Sequence, residues 1–218
     1  MDQELADLSA LLAQMGGRAE EMVRKAMAAL RTRNALLASE LRADDLEVDR
    51  LELAIEERCL TLLALRQPIA TDLRLVTAAL HVATDLERVG DHAINVGRTV
   101  TELTRLPNTV SMPPELDRLA GAATGMLQRA LDAFTARDSS SARSVCADDD
   151  EADALEDETL RILQERMISE PASVPMCVQL LLVARNLERI ADLATNVAEE
   201  AIFVAQARVI KHHHEDPV

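Results

Sequence analysis

The sequence predicts an all-α protein built as two tandem antiparallel three-helix bundles related by an internal repeat. Three observations predict it. Apolar residues recur in steps of three and four through almost the whole chain, the period of helix faces that pack on other helices, and no stretch sustains the alternation of a strand. The tract Asp85-Leu-Glu-Arg-Val-Gly-Asp91-His-Ala-Ile-Asn95-Val returns 101 positions later as Asn186-Leu-Glu-Arg-Ile-Ala-Asp192-Leu-Ala-Thr-Asn196-Val, so one unit occurs twice. Hydrophobic residues make up 48% of the 218 positions but aromatics only 1%, which leaves Leu, Val, Ile, Ala and Met to build the core.

Breakers and polar clusters set the elements. A first helix near 3–32 carries its seam at Leu5, Leu8, Leu12, Met15, Ala19, Met22 and Ala26. A second, near 35–66, has Val48, Leu51 and Ile55 on its apolar face. The third, near 68–106, is opened by Pro68, a residue suited to the first helical position, and keeps the register from Leu75 through Val89 to Leu103. The segment Pro107 to Pro114 is the one clear linker and separates a first bundle, 1–108, from a second, 109–218. Helices near 114–136, 140–169 and 172–210 follow, the last repeating the third helix's seam from Met176 through Ile190 to Val204.

Composition excludes several functions. A formal charge of -15 and a pI near 4.7 repel nucleic acid and anionic lipid, which need clustered Lys and Arg. Cys59, Cys146 and Cys177 are odd in number and form no Cys-x-x-Cys pattern, so they are expected as reduced, buried small side chains. The acidic start Met-Asp-Gln-Glu-Leu-Ala-Asp lacks the basic and apolar runs of a signal peptide, and the charge-free stretch from Ala172 to Ala184 is too short to span a bilayer. The expectation is a soluble cytoplasmic protein with no membrane insertion.

Carboxylates at helical spacing are the feature that points to chemistry. Residues four apart stand one turn apart on one face, so Glu87 and Asp91 form a stripe with Asn95, and Glu188 and Asp192 form another with Asn196. A second pair lies upstream in each half: Asp45 with Asp49, and Asp149 with Asp153. At 100° per residue these stripes point away from the apolar seams, toward the outside of each bundle. Ion pairs from Arg88 and Arg189 account for part of the pattern. Like charges at this spacing cost about 0.2–0.5 kcal/mol per pair, so four pairs cost on the order of 1–2 kcal/mol, which a multivalent cation would reverse. Oxygen donors with no Cys select hard ions such as ferric iron, magnesium, manganese or calcium, with zinc also accommodated.

His92 has Leu193 as its counterpart, which argues against a symmetric ligand role, and His81 reads as a helix-surface or half-buried residue. His212, His213 and His214 read as a solvated tail. Phosphate loops, nucleophile elbows, His-Glu-x-x-His and the Glu-x-x-His pattern of di-iron bundles are missing from the sequence.

The run Pro68-Ile-Ala-Thr-Asp72-Leu-Arg74, with the tracts Leu86 to Asn95 and Leu187 to Asn196, closely resembles the PhoU family over nearly the whole chain. The resemblance implies two three-helix bundles and a cytoplasmic, non-enzymatic regulator that restrains the Pst phosphate transporter and, with a PhoR-type sensor kinase, keeps the phosphate-starvation response off when phosphate is plentiful. Some members of that family hold multinuclear iron or zinc clusters on Glu/Asp-x-x-x-Asp motifs and others are seen without metal; carried over, the motifs fall here on Asp45, Asp49, Glu87 and Asp91 and on Asp149, Asp153, Glu188 and Asp192. The chain departs from the family at Leu193, and the second-half counterpart of Pro68 to Arg74, Glu170 to Met176, is weak. The expected partners are the transporter's ATPase subunit, the kinase and a second copy in a homodimer. A carboxylate-bridged metal enzyme and a metal-free interaction scaffold are the alternatives to this adaptor.

Overall fold

The computed structural model describes residues 1–107 and 110–210, and no strand occurs among them. Seven helices follow in order: α1 Asp2–Thr32, α2 Ala35–Arg66, α3 Ala70–Thr104, α4 Pro114–Ala136, α5 Ser139–Ala147, α6 Asp149–Ser169 and α7 Val174–Gln206. A 3-10 turn, Pro171–Ser173, leads into α7. The first three helices pack on one another, the last four do the same, and the two lobes meet along α3 with α7 and α1 with α4.

The turns of the two lobes are built alike. Arg33 adopts the left-handed conformation after α1, and its guanidinium donates to the carbonyls of Leu103 and Leu106 at the end of α3. Asn34 then caps α2, its Oδ1 accepting from the Leu36 and Leu37 amides at 3.0 and 3.1 Å. Arg137 and Asp138 repeat this step, with Asp138 Oδ1 accepting from the Ser140 and Ser141 amides.

Three boundaries differ from the sequence expectation. Gln67 ends α2 in the left-handed conformation and Ile69 is extended, so Pro68 belongs to the reversal and α3 starts at Ala70. The expected 140–169 helix is two helices, broken at Asp148, whose carboxylate pairs with Arg129 at 2.5 Å. The break places Asp149, Asp150 and Glu151 in the first turn of α6, where the helix dipole favours negative charge. The last helix stops at Gln206 because Ala207 turns left-handed. The histidine trio 212–214 lies outside the described residues.

Close approach explains two glycines. A Cβ on Gly16 would stand 2.3 Å from Leu131 Cδ1 of α4, and one on Gly97 would stand 2.7 Å from Leu41 Cδ1 of α2. A larger residue at either position would have to move that leucine side chain or part the helices. Helix α7 is the most enclosed element, contacting α3, α4, α5 and α6, and runs antiparallel to α3: Arg74 reaches the Val204 carbonyl, His81 meets Glu200 and His92 meets Asn186. All three cysteines are free, and burial pushes the Cys59 and Cys146 thiols up to about 11, so both stay protonated at neutral pH. No helix among the described residues is long and apolar enough to cross a membrane.

Candidate metal centre

In the first lobe α2 brings Asp45 and Asp49 to the groove where it packs on α3, and α3 supplies Glu87 and Asp91. A fifth carboxylate joins them. Glu52 lies one turn beyond Asp49 and accepts from Thr84 Oγ1 at 3.3 Å. Burial, then repulsion from Asp91, Glu52, Asp49 and Asp45, pushes Glu87 up to about 7. Burial and the neighbouring Asp49 and Asp91 also raise Asp45, against a distant attraction from Arg98 and Arg42. Among the described residues, no Lys or Arg forms an ion pair with any of these five acids.

The second lobe assembles its acids differently. Glu188 is 7% exposed, and burial followed by repulsion from Asp192 pushes it up to about 7, with Arg189 and Arg185 pulling the other way. Its Oε2 is buried and accepts no hydrogen bond, although Arg189 Nε lies 3.5 Å and Arg185 Nη1 3.7 Å away; the attraction is that of charge without a directed bond. Arg185 Nη1 also lies 3.4 Å from Glu156 Oε1, and Arg189 Nη1 is 2.6 Å from Asp192 Oδ2. Asp153 is raised by burial and then by Asp192, Asp150 and Asp157. Asp149 departs from this group: its Oδ1 accepts from Thr195 Oγ1 at 3.2 Å, and it lines a cleft of about 640 Å³ between the lobes with His81, His92, Arg88 and Glu199.

The outward placement expected of the stripes is corrected here. Glu87 is half-buried and Glu188 buried, because α2 lies across α3 and α6 across α7, so both face a groove between helices. Asp91 remains exposed. As the side chains stand, no three His, Cys, Asp or Glu among the described residues converge tightly enough to hold an ion. The donor chemistry suits a hard cation in the first lobe, where oxygen ligands crowd without a cationic side chain in contact. In the second lobe two guanidinium groups already lie among the acids.

Sequence reasoning missed Glu52 and Glu156, although each stands three positions after a predicted aspartate in its copy. It also missed Arg185, whose counterpart in the first copy is Thr84.

The PhoU domain model matches residues 12–100 and again residues 116–201. A Caulobacter vibrioides protein named phosphate-specific transport system accessory protein PhoU homolog is 40% identical over 197 residues, 90% of this chain and 86% of that protein. A protein of the same name from Zymomonas mobilis is 35% identical over 95% of this chain and 87% of its own. The crystal structure of PhoU from Pseudomonas aeruginosa superposes with a TM-score of 0.90 at 34% identity, covering 95% of this chain and 99% of that one. A phosphate transport system regulatory protein PhoU from Streptococcus pneumoniae gives 0.89 at 27% identity, over 96% and 99%.

Proposed function

The chain belongs to the PhoU family, and from that premise we propose that it regulates phosphate uptake in the cytoplasm without turning over a substrate. It restrains the phosphate transporter and, with a sensor kinase, holds the starvation response off while phosphate is plentiful. The observation that carries this reading is a likeness running through both lobes to proteins named as accessory to phosphate-specific transport. Long paired helices suit an adaptor: at 1.5 Å per residue α3 reaches roughly 52 Å, enough to touch two partners at once.

A multivalent cation is part of the same proposal. Asp45, Asp49, Glu52, Glu87 and Asp91 would hold it, and a bound ion would tie α2 to α3 by neutralising their mutual repulsion. What supports this is the crowding that drives Glu87 up to about 7 without a cationic side chain in contact. Iron and zinc are the leading ions by family likeness, with magnesium and manganese next. A homodimer is proposed too, and α2 offers a stripe for a helical partner: Leu46, Leu53 and Leu60 are exposed and one heptad apart.

A strain lacking the gene is expected to express a phosphate-starvation reporter in phosphate-rich medium, and the intact chain to silence it. A reporter that stays silent without the gene overturns the regulatory reading. Metal analysis of chelator-free protein is expected to find an ion that Asp91→Asn removes, and protein without metal overturns that part.

A further inference from the structure

The copies correspond at fixed offsets, with Asp45 preceding Asp149 by 104 positions and Glu87 preceding Glu188 by 101. On that alignment Glu52 matches Glu156, but several neighbours of the clusters do not match, among them three that alter charge or space. Thr84 becomes Arg185, Asp85 becomes Asn186, and Gly90 becomes Ala191.

Each change has a structural consequence. Thr84 gives Glu52 a neutral hydrogen bond, whereas Arg185 brings a permanent positive charge to 3.4 Å from Glu156 and 3.7 Å from Glu188. Asp85 draws Arg88 to itself at 3.5 Å. Asn186 carries no charge and is engaged by His92 at 2.9 Å, so Arg189 turns instead to Asp192 and Glu188. At Gly90 an added Cβ would stand 3.4 Å from Asp45 Oδ1, showing that this carboxylate rests against bare α3 backbone. Ala191 puts a buried methyl group at the equivalent place, and Asp149 points to Thr195.

We infer that the two lobes are not equivalent cation sites: the first lobe takes a multivalent ion, and in the second the Arg185 guanidinium stands where that ion would be. This rests on the metal-binding reading above. An ion entering the second cluster would have to displace a guanidinium bonded to Glu156 and drawn by charge to Glu188, and would approach with Arg189 alongside. The arrangement leaves the second lobe cross-linked at all times and makes only the first responsive to metal supply.

The test uses full-length protein stripped with chelator and offered iron(II), zinc(II) and manganese(II) separately, with bound metal counted after dialysis. Wild-type metal should be lost in Asp91→Asn and kept in Asp192→Asn. Replacing Arg185 by the first-lobe residue, Arg185→Thr, should add metal that Asp192→Asn then removes, with second-lobe affinity rising about 10- to 100-fold, the size of effect seen when groups around a metal site change. Thr84→Arg should abolish first-lobe binding. Without metal, Arg185→Thr should melt lower than wild type at unchanged helicity, because Glu156 and Glu188 lose their counter-charge, and added metal should restore the melting temperature. Equal loss from Asp91→Asn and Asp192→Asn overturns this inference while leaving the metal reading intact, as does an Arg185→Thr protein with unchanged metal and melting. No metal in any variant overturns both.

Discussion

Glu87 and Glu188 each bind a proton more tightly in the folded protein than in the unfolded chain, rising from 4.5 to about 7. The sign follows from linkage: a raised folded-state pKa contributes stability that is complete below the unfolded value and is lost as pH rises through about 7. Metal-free protein should therefore melt lower at pH 8 than at pH 5. Glu87→Gln, which mimics the protonated acid, should raise the melting temperature at pH 8 and leave it unchanged near pH 4. Because Glu87 is only half-buried, solvent screening reduces the gain to on the order of 1 kcal/mol, or about 2–4 °C. Thermal denaturation followed by circular dichroism at the two pH values checks this; an unmoved midpoint at pH 8 counts against the crowding. The predicted acids were legible because spacing within one helix determines which of them share a face. Glu52 and Arg185 were not, since their roles depend on which residues meet across two helices, and that is decided by packing rather than period.

At the scale of elements, the glycines of α1 give a paired prediction. Gly16→Val must push against Leu131 of α4 and should destabilise the protein by about 1–3 kcal/mol. Gly17 is exposed with nothing within 4 Å of an added Cβ, so Gly17→Ala should stabilise by up to about 1 kcal/mol through helix propensity alone. Urea unfolding measures both, and a stabilising Gly16→Val would mean that α1 and α4 are not in close contact. Helix α1 gives way to α2 at Asn34, and α4 opens at Pro113 and Pro114, where the sequence's polar breaks lie, because these residues act locally. The division between α5 and α6 was hidden, since the acids around Asp148 continue a helical pattern and the Arg129 partner that accompanies the break comes from another helix.

For the whole molecule, the enclosure of α7 by four helices binds the lobes into one folding unit. Unfolding in urea should be a single transition, with helicity and a probe placed in either lobe giving coincident midpoints. Separate midpoints would show that the α3–α7 seam is weaker than its burial implies. The antiparallel crossing also fixes where the acids lie. Since His92 meets Asn186 and His81 meets Glu200, Glu87 and Glu188 fall within about one to two turns of each other along the seam, close to the midpoint of both long rods. A change of tilt imposed at that waist would grow along arms of some 25 Å on either side into a larger displacement at the tips.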